Sequence, residues 1–356
     1  MIGPAPATSR ASASVEAFAW GLGLGPDRAA LAGDLAGLFC SGLDESASPR
    51  RRAASLHHDG TPLQLSASLQ RGSGGARFIV EPGPLSEPVP RQIDRALRLV
   101  GSACASLGWD DARRESGPLV RSLLPADPAE TESWWGGLWL GAVVTARHVG
   151  LRVYVNLRSG DAMDRWRRVG RLFAALSGEP VCGALRAIVE RASDHARPVG
   201  IGLDLVDGAR AGLKLYVSPE RTDHGALRHM LGVPASQANP VFDVLLSPPA
   251  EPLPPYATTV CYDVDLSGPL GADAVRRTKL DADAAVFFRD DRGALAAARR
   301  LARLAHPALD LSDLDGLAAA LGESAAGRAV QYVGVGFAGG VANVNVYARP
   351  SGLARC

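Results

Sequence analysis

The sequence predicts an α+β fold: a ten-stranded antiparallel β-barrel with a polar lumen, surrounded by a ring of helices in five ααββ repeats. Three observations lead there. First, Gly212-Leu213-Lys214-Leu215-Tyr216-Val217-Ser218-Pro219 alternates apolar and polar residues, and Leu151-Arg152-Val153-Tyr154-Val155-Asn156 and Asn343-Val344-Asn345-Val346-Tyr347-Ala348 repeat the pattern. A strand returns to one face every second residue, so Arg152 and Tyr154 share a face, as do Lys214 and Tyr216, and Asn345 and Tyr347. The opposite face is aliphatic. Second, the echoing positions Arg77, Arg152, Lys214, Lys279 and Asn345 lie 75, 62, 65 and 66 residues apart, and self-similarity at a steady interval marks an internal repeat. Third, each unit ends in a hairpin, which gives an antiparallel sheet, and about ten strands is where a twisted open sheet tends to close. Closure removes the edge strands and leaves a lumen.

The elements follow in order. Residues 1–14 are expected to be a flexible tail of small residues, ahead of a single barrel domain over 15–356. Helical character appears at 15–20 and 27–43, with Asp27 as N-cap and Leu31, Leu35 and Leu38 at helical spacing. A linker with the basic run Arg50-Arg51-Arg52 leads to strand 62–69, a turn at Gly72-Ser73-Gly74-Gly75, and strand 76–82. A helix over 88–107 carries Pro90 near its start, Ile93, Leu97, Val100 and Cys104 on one side, and Gly108 at its end. A shorter helix is expected at 118–124, and no element is assigned to Trp134, Trp135 and Trp139. Strands 142–148 and 151–157 form the second hairpin. Helices follow at 161–176, capped by Asp161 and closed by Gly178, and at 180–192. Strands 198–206 and 211–217 flank an Asp207-Gly208 turn. Helices 222–231 and 236–246, a hairpin of 258–266 with 278–286, helices 293–305 and 312–321, and a last hairpin of 329–337 with 341–348 complete the chain.

Composition narrows the function. The chain of 356 residues is 47% hydrophobic, enough for a substantial core. Its formal charge of +1 gives no whole-molecule reason to bind nucleic acid or a membrane. No apolar run is long enough to span a bilayer, and the first residues lack the pattern of a secretory signal. Five scattered cysteines, odd in number and without close pairs, argue against a disulfide framework or a zinc site. The expectation is a cytoplasmic enzyme. Gly334-Val335-Gly336-Phe337-Ala338-Gly339 matches a dinucleotide fingerprint, but a strand follows it rather than a long helix. Phosphate loops, histidine metal motifs, Asp-rich magnesium motifs and nucleophile elbows are absent from the sequence.

The lumen is therefore the candidate site. Arg77, Arg152, Lys214 and Lys279, with Tyr154, Tyr216, Tyr332 and Tyr347, would place cations and phenols in one tube. Like charges packed together require an anion. A diphosphate suits them, since Arg grips it with two parallel bonds and Lys acts as a point charge. Phenol rings stabilise a nearby cation with their faces. A diphosphate and a carbocation side by side are the products of ionising an allylic diphosphate. Asp281 and Asp283 share the face of Lys279 and are alternative partners for it outside the lumen. Tyr262 fits the core or the lumen.

At these residues the chain resembles the aromatic prenyltransferases of the ABBA fold (the PT barrel), particularly the indole or dimethylallyltryptophan synthase-like branch. The resemblance rests on Ser66-Ala67-Ser68-Leu69 followed by Arg77-Phe78-Ile79-Val80-Glu81-Pro82, on the two Arg/Lys-x-Tyr strands, and on Gln331-Tyr332-Val333-Gly334-Val335 with the final strand. It covers roughly 62–350. It implies transfer of a dimethylallyl or longer prenyl group from its diphosphate to an indole or tryptophan by Friedel–Crafts alkylation, without a metal. It implies Glu81 as the group that holds the indole N–H, Arg77, Arg152, Lys214, Lys279 and Asn345 as the diphosphate cradle, and the four tyrosines as the cation shield. Asn343 and Asn345 stand where more charge is expected, and no lysine is placed to take the ring proton. A prenyltransferase acting on Trp or Tyr of a peptide, and a barrel that binds a small ligand without chemistry, are the alternatives.

Overall fold

A computed structural model of the chain describes residues 6–43, 56, 61–69, 75–84, 87–124, 137–192, 196–206, 209–220, 222–246, 257–307, 311–321 and 329–350. Ten strands form one closed antiparallel barrel. They are β1 (Leu63–Leu69), β2 (Gly75–Val80), β3 (Leu138–Thr145), β4 (Val149–Asn156), β5 (Ala196–Val206), β6 (Ala209–Pro219), β7 (Thr258–Asp265), β8 (Val275–Asp283), β9 (Val330–Phe337) and β10 (Val341–Ala348). Each pairs with its sequence neighbours, and β1 with β10 closes the ring, from Leu65 opposite Ala348 to Leu69 opposite Val344.

Alternation decides which face turns out. On β6, Leu213, Leu215 and Val217 are fully buried under the helices, and on β9 Val333 and Val335 are likewise. Burying each such side chain contributes roughly 1.5–3 kcal/mol relative to leaving it exposed. The intervening residues face inward. Tyr262, between the lumen residues Cys261 and Asp263, therefore turns out into the core and is fully buried there.

The covering helices come in pairs ahead of each hairpin: α1 (Ala7–Gly21) and α2 (Pro26–Phe39), α3 (Val89–Ser106) and α4 (Asp110–Leu123), α5 (Ala162–Ser177) and α6 (Gly183–Ala192), α7 (His224–Leu231) and α8 (Ala235–Leu245). A short α9 (Ala284–Phe287) follows β8, and α10 (Asp291–Ala305) and α11 (Ser312–Leu321) precede the last hairpin. Asp161 caps α5 by accepting the Asp164 N–H at 2.8 Å, and Gly178 ends that helix at φ 75°.

Several boundaries differ from the sequence expectation for identifiable reasons. The expected tail is helical from Ala7 onward, because Ala is the strongest helix former and Ala7, Ala11, Val15 and Phe18 recur on one buried face. Asp27 lies inside the first turn of α2, after the cap residue Gly25 and Pro26, where it complements the helix dipole. Pro118, read as a helix start, sits within α4, which begins at Asp110. Trp139 belongs to β3. The turns at 72–74 and 207–208, the run at 50–52, Trp134, Trp135 and Cys356 lie outside the described residues. Among the described residues no helix is long and apolar enough to cross a membrane.

Two substitutions test this packing. Leu215→Ala, on the outer face of the barrel wall, should cost about 2–5 kcal/mol, and Asp161→Ala about 1 kcal/mol through the lost cap, both read from urea denaturation.

Candidate active site

The inward faces enclose a cavity of about 250 Å³. Arg77 from β2, Arg152 and Tyr154 from β4, Lys214 and Tyr216 from β6, Lys279 from β8, Tyr332 from β9, and Asn345 and Tyr347 from β10 all line it. Glu81 is not among the lining residues. It follows β2, is 1% exposed, and its Oε2 accepts the Leu56 N–H at 3.1 Å, while Leu56 itself borders the cavity.

The lumen also holds carboxylates that sequence reasoning missed or weighed only as partners outside it. Register sets Asp204 on β5 opposite Arg152, and Asp263 on β7 opposite Lys214. Arg152 Nε lies 2.6 Å from Asp204 Oδ1, and its Nη2 donates to Oδ2 at 3.2 Å. Lys214 Nζ reaches the same Oδ2 at 2.8 Å and Asp263 Oδ1 at 3.4 Å. Lys279 Nζ sits 2.5 Å from Asp281 Oδ2 and donates to the Tyr347 hydroxyl at 2.7 Å. Both Lys279 and Asp281 border the cavity, so this pair is inside the lumen. Among the described residues Arg77 has no carboxylate partner. Its Nη1 donates to Asn345 Oδ1 at 3.3 Å, and its buried Nε has no hydrogen-bond partner. Asn345 thus holds a cation of the proposed cradle in place.

These contacts set the charge states. Burial works against the Arg152 cation, but Asp204 beside it raises its pKa well above the ordinary guanidinium value. Burial pushes Asp204 up, and Arg152 and Lys214 more than reverse this, so its pKa falls. Burial, aided by repulsion from Arg152, lowers the pKa of Arg77. Lys279 is also opposed by burial, yet Asp281 carries it upward. Burial raises the phenols of Tyr332 and Tyr347 to about 12, helped by Asp283 and Asp281 respectively, and the Cys261 thiol to about 12. Tyr216 is raised well above the usual phenol value by the same cause. The phenols and the thiol are neutral near pH 7, so the wall presents neither phenolate nor thiolate to an electrophile.

The aromatic faces already meet a positive charge. Lys279 Nζ is 5.5 Å from the Tyr216 ring centroid and 5.0 Å from that of Tyr347. Tyr154 and Tyr216 lie 6.3 Å apart, centroid to centroid, and Tyr332 and Tyr347 6.4 Å. Glycines make room for this wall. A Cβ on Gly202 would stand 3.0 Å from the Tyr154 ring, and one on Gly334 only 2.0 Å from Asp281 Oδ1. The glycine-rich stretch at 334–339 is thus β9 and its turn, cleared on the lumen side for a neighbouring carboxylate. Among the described residues no group of three or more His, Cys, Asp or Glu is placed to hold a metal.

No protein-family model matches the sequence, and neither does any curated protein. Solved structures do match the fold. The 5-dimethylallyltryptophan synthase from Streptomyces coelicolor superposes with a TM-score of 0.81 at 18% identity, covering 99% of this chain and 100% of that one. The 6-dimethylallyltryptophan synthase from Micromonospora olivasterospora, solved in complex with DMASPP and Trp, gives 0.77 at 17% identity over 99% of both chains. AnaPT from Neosartorya fischeri gives 0.73 at 13% identity, over 98% of this chain and 95% of that one. The chain has the ABBA barrel fold of the aromatic prenyltransferases.

Proposed function

We propose that the protein is an aromatic prenyltransferase that moves a dimethylallyl group from its diphosphate to an indole or tryptophan acceptor. The observation that carries this reading is the convergence of Arg77, Arg152, Lys214 and Lys279 with four tyrosines in one cavity of a barrel. Solved structures of dimethylallyltryptophan synthases share that barrel, one of them holding DMASPP and Trp. The allylic C1–O bond breaks and its electron pair leaves with the diphosphate. Arg77, Arg152 and Lys214 stabilise the charge that develops there. Tyr216 and Tyr347 present ring faces to the allyl cation, as they do to Lys279. The ring carbon of the acceptor bonds to C1 and then passes its proton to the released diphosphate, the base that the reaction itself supplies. A closed wall keeps water from quenching the cation. Glu81 serves the acceptor side, holding its N–H. The chemistry proceeds without a metal, in a compartment that leaves the buried cysteines 40, 104, 182 and 261 reduced.

The carboxylates that already pair with Arg152, Lys214 and Lys279 favour a second reading: a barrel that binds an aromatic ligand without chemistry. Incubation with dimethylallyl diphosphate and L-tryptophan separates the two. The transferase reading expects the acceptor to gain the mass of one prenyl unit and diphosphate to be released, with EDTA leaving the rate unchanged. No product and no diphosphate with any indole, phenol or aromatic peptide would sink it. Arg77→Leu should lower kcat/KM by about a hundredfold or more. Glu81→Gln should cost about tenfold or more in kcat; an unchanged rate removes Glu81 from the mechanism.

A further inference from the structure

The cations of the proposed cradle are not waiting empty-handed. Asp204 holds both Arg152 and Lys214, through contacts of 2.6, 3.2 and 2.8 Å, and its side chain is 15% exposed. A diphosphate that grips Arg152 and Lys214 takes the bonds Asp204 now makes. Its negative charge also enters beside the Asp204 carboxylate, and like charges side by side repel. Asp204 is too well buried to find full solvation when displaced. Its repulsion from the anion therefore acts through a short path of low dielectric. Arg77 differs. Its partner is the neutral Asn345 amide, and its buried Nε makes no hydrogen bond among the described residues. An anion gains a contact there without displacing a carboxylate.

We infer that Asp204 is a built-in competitor for the diphosphate: it weakens anion binding at Arg152 and Lys214, and it returns to them to expel the product, while Arg77 anchors the anion. This rests on the prenyl-transfer reading for the identity of the anion. On that reading it supplies what a cradle of four unopposed cations would lack, a means of letting go of a multiply charged leaving group. Asp204 is a positioning residue here, acting through Arg152 and Lys214 rather than on the reacting carbon.

The test is equilibrium binding of inorganic diphosphate by calorimetry to the full chain, in wild type, Asp204→Asn and Asp204→Glu. Asn keeps the shape and removes the charge; Glu keeps the charge. Asp204→Asn should bind about tenfold tighter or more, whereas Asp204→Glu stays weak like wild type. If Asp204→Asn does not fold, Asp204→Ser takes its place. Equal or weaker binding by the neutral variant overturns the inference and makes Asp204 a brace for the two cations, leaving the transferase reading intact. If neither wild type nor the neutral variant binds diphosphate, both readings fall. In the transferase assay, Asp204→Asn should turn over more slowly in the steady state than in a single turnover, because product release has become slow. A steady-state rate equal to the single-turnover rate counts against the inference.

Discussion

Everything in this molecule depends on the pairing of β1 with β10. Without it, ten strands would be an open sheet with two free edges, and the inward row of charges would face water. Bulk water would then screen the lumen ion pairs and leave each worth little. With the ring closed, the same side chains are largely withdrawn from solvent, and their charges must be answered by neighbours a few ångströms away. The helices play a supporting part: they bury the aliphatic outer face and so prevent the wall from turning itself inside out.

Closure has an electrostatic consequence that shapes the wall. Arg152, Lys214 and Lys279 each lie beside an aspartate on their own or an adjoining strand. Buried charges without partners are destabilising, whereas paired ones fix geometry. Arg152, Lys214 and Lys279 are therefore already answered before any ligand arrives. Tyr154 is fitted against Gly202, and Asp281 over Gly334. Neutral phenols complete the wall: their ring faces attract positive charge while their oxygens stay protonated.

Much of this was legible in the sequence because period-two alternation is a strong signal, and it recurs in the β4, β6 and β10 segments. That pattern, with the repeat spacing, was enough to bring nine candidate residues to one cavity. Asp204 and Asp263 escaped notice for a physical reason. Leu203-Asp204-Leu205 shows the same alternation as the Arg-x-Tyr strands, but an acidic residue does not suggest an anion site, so its register to Arg152 had to be seen. Asp281 was noticed only as an alternative partner for Lys279 outside the lumen, because the pairing that brings Gly334 beneath it is a contact between separate hairpins. Glu81 rested on resemblance rather than pattern, and it lies past the end of β2, where alternation no longer says what a side chain meets. The first two turns of α1 were hidden because their buried positions, Ala7 and Ala11, are alanine, which leaves little hydrophobic contrast along the sequence.

The bond between Arg77 and Asn345 joins residues 268 positions apart, across the seam where the first hairpin meets the last. An unfinished chain cannot make it. During synthesis, Arg77 is present long before the amide that holds it, and the cavity does not exist until the fifth repeat has docked. Such long-range pairing is slow to form and leaves earlier hairpins exposed in the meantime. The chamber thus comes into being only with its last hairpin, so that a half-folded molecule has no enclosed lumen.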